Sequence, residues 1–126
     1  MINVNNKGKA FERKIARLLK TIWPMARRGY QSRGGGKEAC DVEGTPYHIE
    51  CSIGSGPIMA KWGQAVQDSK ICGLVPIVIK KFDGQEPIVI CRLRSWLTLL
   101  TSNISDTFVP LVTSYAKEFE NKNGKD

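Results

Sequence analysis

Apolar residues recur three and four apart at Phe11, Ile15, Leu18, Leu19 and Ile22, which predicts a helix from about Lys9 to Ile22. Arg13, Lys14, Arg17 and Lys20 occupy its other side. By the helical turn angle Glu12 falls at the edge of the stripe, where an acid can reach over the rim of whatever the helix packs on. An acid there also suits the positive end of the helix dipole. Pro24 closes the helix. The residues before Lys9 are polar and read as a mobile basic lead-in.

The period then changes from helical to two. Val42 alternates with Asp41 and Glu43, and Ile49 and Cys51 alternate with His48, Glu50 and Ser52. That alternation belongs to half-buried strands, and Gly44, Thr45 and Pro46 supply the turn between them. Folding the arms together would bring Asp41 to Glu50. Two hard carboxylates on rigid strands can seat Mg²⁺ or Mn²⁺; equally, both can lie solvated on an exposed sheet face. His48 shares a face with Glu50 and suits local packing or support of that acid.

After a loop at Ile53 to Pro57, a second helix is predicted from Ile58 to Cys72, closed by Gly73. Its inward stripe is Ile58, Trp62, Ala65, Val66 and Ser69, while Lys61, Gln64 and Asp68 share one flank. Val75 to Ile79 is continuously apolar, as in a strand covered on both faces. A helix between two strands implies a parallel crossover pair. Asp83-Gly84 marks a turn. Ile88 to Cys91 is a further strand, followed by a short helix with Trp96, Leu97, Leu99 and Leu100 on its apolar side. A last helix is placed at Leu111 to Phe119, before a polar tail. Trp23, Trp62 and Trp96 read as core anchors. The order predicts an α/β fold: a mixed sheet, made of a hairpin plus a parallel crossover strand, flanked by helices.

The chain has 126 residues, enough for one domain with a real core. We place that core at about residues 8–101, with 102–126 as a C-terminal extension. Net charge is +7, which favours a polyanionic partner. Met25 to Lys37 carries four bases and no acid. Arg27, Arg28, Arg33 and Lys37 are interleaved there with Tyr30, Gln31, Ser32 and the run Gly34 to Gly36. Glycines let backbone amides approach a ligand, and arginines grip phosphates with a planar fork. We read this as an irregular loop holding a nucleic-acid backbone, with Lys7, Lys9 and Arg13 beside it and Tyr30 as the aromatic placed near DNA. No apolar run is long enough to span a bilayer, and the N-terminus lacks the apolar stretch of a secretion signal. Cys40, Cys51, Cys72 and Cys91 form no CxxC pair, and the single histidine has no companion at finger spacing. Reduced, mostly buried thiols in a cytoplasmic protein are expected, without a structural zinc site.

The residues from Asn6 to Arg13, from Arg27 to Val42, Ile49-Glu50-Cys51 and Gln64-Ala65 resemble the PD-(D/E)XK nuclease superfamily, and more narrowly the small Holliday junction resolvases of phages and archaea. The resemblance covers roughly the first ninety residues. It implies a restriction-endonuclease-like core in which Glu12, Asp41 and Glu50 bind Mg²⁺ or Mn²⁺ with the backbone carbonyl of Cys51. Gln64 would be a supporting polar group. It further implies a homodimer that acts on branched DNA, the four-way junction, cutting two strands of like polarity. Phosphodiester hydrolysis needs a basic water and an offset for charge on the leaving oxygen, and a divalent metal supplies both.

One position departs from that pattern. The motif ends Glu-x-Lys in the family and Glu50-Cys51-Ser52 here. Either the lysine has migrated, with Lys61 the best placed because it shares a flank with Gln64, or metal and loop arginines suffice at a lower rate, or the fold binds junctions without cutting them. A restriction- or repair-type nuclease of the same superfamily is the remaining alternative.

Overall fold

The computed structural model describes residues 4–29, 40–102 and 117. The chain divides into two compact units, Met1–Ile90 and Cys91–Asp126. The first unit runs α1 (Val4–Leu19), β1 (Arg27–Arg28), β2 (Val42–Glu43), β3 (Tyr47–Ile53), α2 (Ile58–Cys72), β4 (Val75–Lys81) and β5 (Ile88–Ile90). Its strands form one five-stranded sheet in the order β1-β2-β3-β4-β5. The β3–β4 pair is parallel and the other three are antiparallel. The expected α/β architecture, a mixed sheet flanked by helices, is therefore present.

Helix α1 starts earlier and ends earlier than its apolar stripe suggests. It begins at Val4, so the segment read as a lead-in is largely helical, and Gly8 sits within it. Phe11, Ile15 and Ala16 are buried, whereas Leu18 is 58% and Ile22 65% exposed. The buried face is thus narrower than the stripe. The chain leaves the helix through a turn in which Trp23 N donates to Leu19 O at 2.8 Å and Thr21 Oγ1 to Leu18 O at 2.7 Å. Pro24 then prevents continuation. Trp23 stands edge-on to Tyr47, with ring centroids 5.6 Å apart.

Arg27 and Arg28, expected in an irregular loop, form the edge strand β1. Arg27 is opposite Glu43 and Arg28 opposite Val42. A two-residue strand needs only a neighbour with free backbone groups, and β2 supplies it. The hairpin falls as expected, with Val42 paired to Ile49. Helix α2 has the expected bounds, and Gly73 ends it in the left-handed conformation (φ 75°), donating its N–H to Ser69 O. Of its predicted inward stripe, Ala65 and Ser69 are buried, and so is Asp68 from the flank.

Strand β3 is the centre of the unit. Ile49 and Cys51 are buried, and so are His48 and Glu50 on the alternate positions. Both α1 and α2 pack on β3, and α2 also covers β4. The reading of these acids as solvated is thereby overturned: Asp41 is 4% and Glu50 1% exposed, under the helices that pack on the centre of the strand. Val42, Ile49 and Val78 form the tightest part of the apolar core, each buried to 2% exposure or less. Each contributes on the order of 2 kcal/mol through removal from water. Pro76 is tolerated within β4 because β5 reaches only Val78 to Lys80.

The second unit contains α3 (Leu93–Thr101), entered from the extended residue Arg92, whose carbonyl accepts from Ser95 N and Trp96 N at 3.0 and 3.2 Å. Trp96, expected as a core anchor, is 52% exposed. The helix placed at Leu111 to Phe119 lies outside the described residues except for Lys117, which is helical. No helix among the described residues is long and apolar enough to cross a membrane.

Candidate functional site

Asp41 is held by backbone on two sides. Its N–H donates to Ile49 O at 2.9 Å, and its carbonyl accepts from Gly29 N at 2.8 Å. Gly29 is needed there, because a Cβ at that position would run into the carbonyl oxygen of Cys40. The side chain is fixed as well, since Cys51 N donates to Asp41 Oδ2 at 2.8 Å. Glu50 rises from the next strand and is 1% exposed. Its Oε1 lies 3.0 Å from His48 Nε2. Its Oε2 is buried without a hydrogen-bond partner.

Lys61, from the first turns of α2, faces both acids. Its Nζ is 3.4 Å from Glu50 Oε2 and 3.8 Å from Asp41 Oδ2. The first distance is that of an ion pair whose angle does not make a hydrogen bond, so Glu50 Oε2 keeps open coordination capacity. Burial and the charge of Glu50 push the Asp41 carboxyl up to about 7, against the opposing Cys51 N–H and Lys61. Burial acts in the same upward sense on Glu50, but the hydrogen bond from His48, the one that Asp41 can donate when protonated, and the charge of Lys61 outweigh it and hold that group below its ordinary value. Two like charges in one dry site do not ionise independently. Below about pH 7 the pair holds one proton. A buried, adjacent pair of acids with an unpartnered oxygen and a cation at its mouth fits a divalent metal by its donor chemistry.

The other expected site residues are placed differently. Glu12 is bonded to Arg28, whose Nε donates to Glu12 Oε1 at 2.9 Å. It forms no three-residue ligand cluster with Asp41 and Glu50 among the described residues. Gln64 is exposed and makes no hydrogen bond to the acids or to Lys61 among the described residues. Although three residues from Lys61 on α2, it lies on the exposed part of the flank. Cys51 contributes its N–H to Asp41, and burial, followed by the charge of Asp41, pushes its thiol well above the usual range. Cys40 is likewise pushed up, to about 11, by burial. All four cysteines are free, but Cys72 is exposed.

Ser52 accepts a hydrogen bond from Lys80 Nζ at 3.0 Å. Lys80 is 1% exposed and also lies over the Phe82 ring, 5.1 Å from its centroid. The sequence concealed this lysine, because a base at the end of an apolar run reads as the strand emerging into water. Taking β3 and β4 as a parallel pair in register would have placed it opposite Ser52.

A second grouping is also absent from the sequence reading. His48, Glu50 and Asp68 bring their ligand atoms within 4.8 Å of one another, close enough to hold a metal ion. His48 thus has companions, although none at finger spacing, because Asp68 comes from α2. The available signals were the His48-x-Glu50 alternation on one strand face and Asp68 on the helix that must cover it.

Of the expected nucleic-acid contacts, Lys7, Lys9 and Arg13 are exposed on α1. Arg13, Arg17, Lys20, Arg27 and Arg28 line one groove between α1 and β1. Arg27 Nε also pairs with Glu43 Oε1 at 2.6 Å. Tyr30, Gln31, Ser32, Arg33 and Lys37 lie outside the described residues. Comparison with protein-family models, curated proteins and solved structures gives no match to this chain.

Proposed function

We propose that this protein is a metal-dependent endonuclease acting on branched DNA, of the Holliday junction resolvase type. The observation that carries the reading is the buried Asp41–Glu50 pair with the Lys61 amine beside both carboxylates. Asp41 and Glu50 would hold Mg²⁺ or Mn²⁺, and the bound ion would supply a basic water and charge neutralisation at the phosphate. The resemblance adds the Cys51 carbonyl and Glu12 to the ligands. Glu12 already gives one oxygen, Oε1, to Arg28.

The protein's own residues have separate tasks. Cys51 N–H orients Asp41, and His48 orients Glu50. Lys61 supplies positive charge to the acids from the helix, in place of a lysine at position 52. The groove formed by Arg13, Arg17, Lys20, Arg27 and Arg28 meets the phosphate backbone. Shape, rather than base sequence, then selects the junction. Cutting two strands of like polarity calls for two sites, and so for a homodimer.

The deciding experiment incubates the full chain with a labelled four-way junction, a linear duplex and Mg²⁺ or Mn²⁺. Junction cleavage abolished by Asp41→Ala is the expected result. Equal cleavage of both DNAs assigns a restriction- or repair-type role. No cleavage of either DNA by the parent refutes the enzyme.

A second reading has its own observation. Ser52 replaces the motif lysine, and Glu12 is occupied by Arg28. A protein that binds junctions without cutting them would show salt-sensitive binding independent of Asp41 and Glu50 and dependent on the groove arginines.

A further inference from the structure

We propose that His48, Glu50 and Asp68 form a binding site for a first-row transition-metal dication of the zinc type, which meets the Asp41 side of the centre at the Glu50 carboxylate. The site is built from two rigid elements. His48 and Glu50 are alternate residues on one face of β3, and Asp68 comes from the covering helix α2. His48 Nε2 is 3.0 Å from Glu50 Oε1 and 4.0 Å from Asp68 Oδ2. Ligands about 2.0–2.2 Å from a zinc ion sit roughly 3–3.5 Å apart, so the three atoms need move by less than about 1 Å to share one.

Burial strengthens the case. His48 is 0%, Glu50 1% and Asp68 8% exposed. Asp68 Oδ2, aimed at His48, has no hydrogen-bond partner. A buried carboxylate oxygen left without a donor is costly, and a cation between it and the imidazole removes that cost. The donor set decides which cation. One imidazole nitrogen and two carboxylate oxygens suit zinc and its first-row neighbours, whereas Mg²⁺ prefers an all-oxygen shell.

The far side of the imidazole is also arranged. Cys72 Sγ lies 3.6 Å from His48 Nδ1 and 3.8 Å from Ser69 O. Without metal, Nε2–H donates to Glu50 Oε1; when a metal displaces that proton, Nδ1–H can donate to the sulfur, with the thiol proton directed to Ser69 O, and Nε2 turns its lone pair to the ion. The sulfur thus offers the metal-bound imidazole a partner behind the ligand. Glu50 has one oxygen for each side: Oε1 faces His48, and Oε2 faces Lys61. The centre therefore has a nitrogen-containing half and an all-oxygen half, with Glu50 shared between them.

The test is metal content, so its outcome is independent of whether DNA is cut. The chelator-stripped full chain is dialysed against buffered Zn²⁺, and bound metal is counted by mass spectrometry. Stoichiometric zinc is expected in the parent and in Asp41→Asn, and excess Mg²⁺ should not displace it. Asp68→Asn and His48→Gln should weaken binding by on the order of a hundredfold. Thermal melting without metal checks that the variants fold; the isosteric Asp68→Asn carries the test alone if His48→Gln does not. Co²⁺ in place of Zn²⁺ should give visible d–d bands without an intense sulfur-to-metal band. No bound zinc in the parent, zinc indifferent to Asp68→Asn, or a sulfur-to-cobalt band lost in Cys72→Ser would each overturn the assignment.

Discussion

Lys80 and Ser52 face each other across the parallel β3–β4 pair, and the Lys80 amine donates to the Ser52 hydroxyl at 3.0 Å. A fully buried ammonium needs acceptors, and Ser52 is the one that β3 provides. Replacement by alanine strands that donor, which should cost about 1–3 kcal/mol in urea unfolding. Ser52→Lys should cost more than Ser52→Ala, because it sets a second ammonium against the first. Exchange of the two residues, Ser52→Lys with Lys80→Ser, should recover most of the loss. An exchange variant no more stable than Ser52→Lys alone would show that the two positions do not share one charge site.

Gly29 explains how the edge of the sheet reaches Asp41. Its N–H donates to the Asp41 carbonyl, and its missing Cβ admits the Cys40 carbonyl. Gly29→Ala must push the two segments apart. A loss of about 1–3 kcal/mol is expected, as for overpacking elsewhere. Because the displaced backbone carries Asp41, any metal-dependent cleavage should fall with it. Unchanged melting in Gly29→Ala would mean that these backbones yield freely.

Much of this architecture was readable because its signals are local. The alternation from Asp41 to Ser52 with its Gly-Thr-Pro turn gave the hairpin, and Gly73 gave the end of α2. What escaped depends on pairing between distant segments. Arg27 and Arg28 look like loop residues until β2 offers them a backbone edge. His48 looks isolated until α2 delivers Asp68 twenty residues later. Lys80 looks like a strand end until the register places it against Ser52. Lys61 is legible from the sequence through the helix flank that it shares with Gln64. The structure keeps the lysine at the acids and turns the glutamine outward.

Titration of Asp41 should appear in stability. Its carboxyl is raised to about 7 in the folded chain, against about 3.9 unfolded. Between those values the folded state binds more protons, so this group makes stability fall as pH rises from about 4 to 7. Glu50 is shifted the other way, and its opposite contribution is lost as pH falls. Asp41→Asn removes the first effect. With chelator present, it should be more stable than the parent near pH 8 by on the order of a few kcal/mol, and this advantage should vanish near pH 4. Equal pH slopes in urea unfolding of the two proteins would contradict a proton shared at this pair.

Lys61 separates a charge role at the acids from a surface role. It lies within ion-pair distance of both carboxylates and is partly buried. If the proposed hydrolysis occurs, Lys61→Met should lower single-turnover junction cleavage by roughly a hundredfold to a thousandfold. Affinity for the junction should change little, because one lysine among the many bases of the protein contributes little to counterion release. Gln64→Ala should reduce the rate far less, since that side chain points to solvent. Gln67→Ala, also exposed on α2, serves as the surface control. Single-turnover rates for the three variants, measured at saturating metal, make the comparison. Cleavage by Lys61→Met at the parental rate would remove the lysine from the chemistry and leave charge compensation to the metal and the groove arginines.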